Sequence, residues 1–176
     1  MSRRIFSRRQ NTETLSAGLI LLYCSVFALG LAWLTENILQ IVPCELCLVE
    51  RWPWRVAAVA GLLALLFRGH AGRGMIMIGV LAMIPAMGLA ILHTGVEAGF
   101  WPSPFPSCRA PVLPSGNMAD FIHHLPSHPS KPCDAPTYLI DGLPVSMTAM
   151  GGIAAALTAG LTVMAAGFFR PHGRSA

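Results

Sequence analysis

A chain of 176 residues in which 54% of side chains are hydrophobic and only 11% charged is not an ordinary soluble domain, since such domains carry about 25% charge. The mean hydropathy of +0.59 makes a bilayer the main solvent. The net charge of +4 and pI near 9.1 do not make it a nucleic-acid binder, because most of the arginines flank apolar runs, where they act as topology signals.

The first element is an apolar run over about Leu15–Leu34, preceded by Arg3, Arg4, Arg8 and Arg9. This start resembles a twin-arginine signal, and Ala28-Leu29-Gly30 resembles a small-residue cleavage site. The apolar run outlasts the roughly 7–15 residues of a signal h-region, which predicts a retained span. An outer loop of about 35–48 then leads through Pro43-Cys44-Glu45-Leu46-Cys47 into a second span, about Val49–Phe67. Pro53 requires that this helix either start at about Glu50 or kink. A tight basic turn, Arg68–Gly74, joins it to a third span, about Met75–Thr94, as an antiparallel hairpin. Pro85 inside the third span predicts a kink whose freed backbone groups are satisfied by neighbouring helices or water.

The following loop, about 95–145, holds ten of the fourteen prolines and is long enough to expect a function of its own. Within it Met118, Phe121, Ile122 and Leu125 recur at i, i+3, i+4 and i+7. They predict a short amphipathic helix capped by Asn117 or Ser115, lying in the membrane interface or packed against the spans. The fourth span is about Ser146–Phe169. Each run is close to the about 20 residues a helix needs to cross about 30 Å of hydrocarbon, and none alternates with a period of two. The fold expected is therefore an all-α membrane protein, a four-transmembrane-helix bundle forming one integral membrane domain over residues 1–176.

Lysine and arginine set the orientation. Arg68 and Arg73 lie between spans two and three, Arg170 and Arg174 follow span four, and the long loop has only Arg109 and Lys131. The positive-inside rule places both termini in the cytoplasm and both cysteine-bearing loops outside. Arg51 and Arg55 break this pattern at the outer end of span two. Trp33, Trp52, Trp54 and Trp101 all fall near the outer interface, where a plain aromatic belt explains them.

The outer cysteines face an oxidising compartment, so structural disulfides are the simplest reading. That suits a staple between Cys108 and Cys133. A bond across the two residues between Cys44 and Cys47 removes little unfolded-state entropy, and this spacing instead favours a pair switching between dithiol and disulfide. Zinc would need more than this half-site. His123, His124 and His128 lack regular ligand spacing, and no metal is expected. Span two begins near Cys47, where the helix N-terminus favours a thiolate. Arg51 lies one turn deeper on the same face, with a thiolate or the carbonyl oxygens of a bound quinone as candidate partners, or with snorkelling to headgroups as its plain role. Cys24, mid-span, is read as a small buried hydrophobe.

Taken together, the four spans, Pro43-Cys44-x-x-Cys47, the following Glu50-Arg51, and Trp101-Pro102-Ser103-Pro104-Phe105 leading to Cys108 resemble the DsbB family of bacterial disulfide-generating membrane proteins. The resemblance runs from about Leu15 to Phe169. It implies a ubiquinone or menaquinone, drawn from the membrane quinone pool, near the N-terminal end of span two. Cys44 and Cys47 would be reoxidised by it, with Cys47 nearest and Arg51 polarising it. Cys108 would form the mixed disulfide with a periplasmic, soluble, DsbA-like thioredoxin-fold partner, and Cys133 would relay by exchange with Cys44. A proline-rich loop would give the partner access. The location implied is the bacterial inner membrane. His93 and Glu97 resemble a His-Gly-Val-Glu-like stretch in many relatives, which places them near the quinone or in a capping or interface role. The segment Asp134–Met150 departs from the family, being longer and lacking its usual aromatic residue. Two other readings stand beside this one: a vitamin K epoxide reductase-like quinone and thiol enzyme, whose Cys-x-x-Cys belongs to a late helix, and a non-enzymatic tetraspan scaffold with structural disulfides.

Overall fold

Backbone groups in hydrocarbon must bond within their own segment, and the long apolar runs of this chain do so as helices. The computed structural model describes residues 2–67, 69–105, 108, 132–138 and 145–167, with the backbone alone for residues 2–10. The helices are α1 (Ser2–Asn37), α2 (Glu45–Leu66), α3 (His70–Glu97) and α4 (Met147–Ala165). Among the described residues there is no strand. Asn11–Asn37 of α1, α3 and α4 are each long and apolar enough to cross a membrane. α2 is 22 residues long, but Glu45, Glu50, Arg51 and Arg55 in its N-terminal half keep its length and apolarity from marking it as a span.

The helices pack in sequence, α1 on α2, α2 on α3 and α3 on α4, and α4 closes back onto α1. Lipid tails are as apolar as leucine, so close van der Waals approach through small residues has to hold such helices together. On α2 these are Ala57, Ala60, Gly61 and Ala64, all buried and spaced to share one face. A Cβ on Gly61 would lie 2.8 Å from the backbone nitrogen of Leu22, so the α1–α2 contact is built on its absence. The central core joins Leu21, Trp54, Ala57, Ala60, Met83, Ala86 and Ala155. Outward-facing Leu81, Ile84, Ile91 and Ile153 are more than half exposed, as lipid-facing side chains should be.

Several local expectations are corrected. α2 does not start at Glu50: it begins at Glu45 and runs through Pro53, because Cys44 caps it one turn earlier. Pro85 lies inside α3, which runs on past it to Glu97, so it does not end the helix, as expected. The turn between α2 and α3 is shorter than Arg68–Gly74, since α3 already starts at His70. Gly69 takes φ +72°, and a Cβ on Gly72 would meet the Phe67 carbonyl oxygen at 2.4 Å; glycine at these points lets the second helix start beside the end of the first. The tryptophans do not all form a belt. Trp33 and Trp52 are about 60% exposed, but Trp54 is buried in the core. Trp101 lays its ring over Gly95 and donates its indole N–H to the Leu92 carbonyl at 2.9 Å. The segment before α4 is tied to it by Met147 N–H donating to the Thr137 carbonyl at 2.8 Å. The amphipathic helix expected around Met118–Leu125 lies outside the described residues.

Candidate functional site

Cys44 is the N-cap of α2, and its backbone (φ −85°, ψ 166°) lets its sulfur accept the Cys47 N–H at 3.2 Å. The two sulfurs stand 2.7 Å apart, and both cysteines are free. The Cys47 thiol donates to the Cys44 sulfur and holds the Cys44 thiol below its usual range. The same bond, together with burial, pushes the Cys47 thiol up. The thiolate expected at Cys47 is therefore favoured at Cys44 instead, because the helix begins one residue after Cys44.

Against Cys44 lies His93 of α3, which is 2% exposed. Its Nε2 is 3.5 Å from the Cys44 sulfur and its Nδ1 is 2.8 Å from Glu50 Oε1. A carboxylate only accepts, so Glu50 fixes the hydrogen on Nδ1 and leaves Nε2 to face the sulfur. Thr148 of α4 donates to Glu97 Oε1 at 2.9 Å, and that oxygen is 4.0 Å from His93 Nε2. His93 and Glu97 thus share one polar cluster with the cysteine pair.

Arg51 has a protein partner that the sequence did not reveal. Its guanidinium binds the Glu36 carboxylate of α1 through both oxygens, with Nη1 at 2.9 Å from Oε2 and Nη2 on Oε1. Such a bidentate pair is the strong form of this interaction, so Arg51 neither snorkels nor pairs with a thiolate here. The signal was a lone carboxylate at the end of an apolar span. Nothing in the sequence singled out Thr148.

Cys108 and Cys133 are bonded to each other and buried, at 2% and 1% exposure. The accessible position expected for Cys108 is not the one observed. It packs with Cys133, Cys44, Leu46 and Val96, and the Cys133 N–H donates to the Cys108 carbonyl at 3.1 Å. The sulfurs of Cys44 and Cys133 and a ring nitrogen of His93 all lie within 4.8 Å of one another. His123, His124 and His128, considered for zinc, lie outside the described residues.

A cavity of about 500 Å³ opens beside this cluster. Cys44, Cys47, Glu50, Arg51, His93 and Glu97 line its polar end, and Phe27, Leu31, Leu157 and Leu161 of α1 and α4 line its apolar end. Cys24 also lies on its wall. Apolar pockets of about 300–1,000 Å³ with a few convergent polar groups are typical of small-molecule sites. A flat ring bearing two carbonyl oxygens and an apolar tail fits this one, with Arg51 offering hydrogens and the sulfurs of Cys44 and Cys47 on the wall.

The family model described as Disulfide bond formation protein DsbB matches residues 14–165. An uncharacterized protein of Rickettsia prowazekii (strain Madrid E), RP370, is 30% identical over 132 residues, which is 74% of each chain. No solved structure matches the chain.

Proposed function

The chain belongs to the DsbB family of disulfide-generating membrane oxidoreductases, and from that premise we propose that it is a quinone-dependent thiol oxidase of a periplasmic, DsbA-like thioredoxin-fold protein. The observation that carries this reading is that the Cys44 and Cys47 pair lines an apolar cavity while Cys133 Sγ, of the second pair, lies within 4.8 Å of Cys44 Sγ.

A thiolate of the reduced partner attacks Cys108, forming a mixed disulfide and releasing Cys133 as a thiolate. The partner's second thiol resolves the mixed disulfide and leaves as part of the partner's new disulfide. Cys133 exchanges with Cys44 when the Cys44–Cys47 pair is oxidised, and completion of the exchange by Cys108 leaves Cys44 and Cys47 as the reduced pair. Bound in the cavity, a ubiquinone or menaquinone supplies a two-electron, two-proton acceptor for that pair. His93 Nε2 takes the Cys44 proton, with Glu50 holding the tautomer, and Glu97 stands next along the cavity wall. Cys47 is the sulfur left facing the cavity when Cys44 is engaged by Cys133. Arg51 adds positive charge at the same end. Because Cys108 is buried, the partner reaches it only when its sulfur becomes exposed.

On this reading α2 also crosses the membrane, making four spans in all, with both termini cytoplasmic and the cysteines on the periplasmic side of the bacterial inner membrane. The family match supports neither a vitamin K epoxide reductase-like protein nor a non-enzymatic scaffold.

The test is quinone reduction by the purified protein given a reduced DsbA-like dithiol, with Cys44→Ser/Cys47→Ser as control. Loss of quinone absorbance that needs both the partner and the pair is expected. Absence of turnover with ubiquinone and with menaquinone, in folded protein, overturns the proposal.

A further inference from the structure

We propose that reduction of the Cys108–Cys133 bond creates a site for a soft divalent cation of the zinc class, formed by Cys44, Cys47, Cys133 and His93, and that its occupancy holds the enzyme reduced and inactive. The ligand atoms of Cys44, Cys133 and His93 already lie within 4.8 Å of one another. With bonds of about 2.3 Å to sulfur and about 2.0 Å to nitrogen, tetrahedral zinc sets sulfur and nitrogen about 3.5 Å apart. The Cys44 sulfur and His93 Nε2 are 3.5 Å apart without any metal.

The fourth ligand is Cys47. Its sulfur is 2.7 Å from that of Cys44 and needs to swing out by about 1 Å to reach the sulfur–sulfur edge of a tetrahedral site. Three cysteines and one histidine are a common structural zinc set. An independent feature points the same way. Histidines that bind metal through one nitrogen usually donate the other N–H to a carboxylate, and Glu50 Oε1 is 2.8 Å from His93 Nδ1. All three converging residues are buried, so water competes little for the ion.

The site is gated by redox state. In the structure Cys133 is bonded to Cys108 and offers no thiolate. When the bond opens, Cys133 becomes a ligand, and binding releases the remaining thiol protons to the buffer. The ion then holds the sulfurs that the relay requires, so neither exchange with Cys133 nor oxidation of Cys44 and Cys47 proceeds. The proposal rests on the thiol-oxidase reading only in requiring that the bond open, and a phosphine reductant does this in vitro, itself becoming the phosphine oxide.

The experiment is titration of the full-length protein in detergent, reduced or oxidised, with cobalt(II) as a spectroscopic probe and then with zinc against a chromophoric chelator. Reduced protein is expected to bind one cobalt per chain, with thiolate charge-transfer absorption and the visible bands of tetrahedral cobalt, and zinc should displace it. Oxidised protein should show neither. Cys133→Ser should weaken zinc binding at least about 10-fold, and Glu50→Gln about 10- to 100-fold. Cys108→Ser, which removes no ligand, should bind as the parent does under reduction and so reports that the fold is intact. Equal binding by oxidised protein, unchanged affinity in Cys133→Ser, or absence of tetrahedral bands overturns the proposal. Quinone turnover is measured separately under chelator. Turnover without cobalt binding sinks only this inference, whereas cobalt binding without turnover sinks only the thiol-oxidase reading.

Discussion

Among single residues, the identity of the α2 cap decides which sulfur is acidic. Because Cys44 rather than Cys47 caps α2, the Cys47 amide and thiol both point at the Cys44 sulfur. A lowered thiol pKa means that the Cys44 thiolate persists as pH falls below the ordinary value of 9.0. Titration of thiolate absorbance in the reduced protein should therefore show one inflection below that value. Cys47→Ala should move it upward, and an inflection that stays put would mean the Cys47 thiol does not set it. Glu36 and Arg51 pose a second question, since the guanidinium held by Glu36 is the one a quinone would need. Hydrogen bonds to charged groups are worth about 1.5–3 kcal/mol, and this pair is partly exposed, which favours the low end. Glu36→Gln should accordingly lower the quinone KM about 10-fold by freeing Arg51, while Arg51→Gln should raise it. A rise in both variants would make the pair purely architectural.

At the scale of elements, small residues carry the helix contacts. Gly61→Leu forces bulk into the 2.8 Å gap between its Cβ position and the Leu22 backbone, and overpacking of this kind costs about 1–3 kcal/mol. Its melting temperature in detergent should drop clearly, whereas Gly30→Ala, with no atom within 4 Å of its Cβ position, should leave it unchanged or slightly raised. Equal behaviour of the two variants would show that α1 and α2 do not rely on this contact. Trp101 belongs to this scale as well. Its ring fills the space over Gly95 and its N–H caps the Leu92 carbonyl, so it packs the chain leaving α3 toward Cys108 rather than serving only as a lipid anchor.

For the whole molecule, the proposed topology places both termini on the cytoplasmic side, and a reporter active only there should be active when fused to either end. An inactive reporter at the C-terminus would mean that α2 does not cross, since an odd number of spans separates the termini. Three of the four helices are legible in the chain's own pattern, because long apolar runs in lipid have no other way to satisfy their backbone. The cysteines on which the proposed chemistry rests are legible there too, because a Cys-x-x-Cys before one span and a wider pair in a polar loop are local patterns. The tertiary structure alone decided who faces whom. Glu36 meets Arg51 across two helices, and His93 meets Glu50 and Thr148 from three. These pairings depend on the rotation of each helix about its axis, which small-residue packing sets and no local pattern records. The burial of Cys108 beside Cys44 has the same origin: it follows from where a loop segment comes to rest on the assembled bundle, a long-range contact that spacing along the chain does not encode.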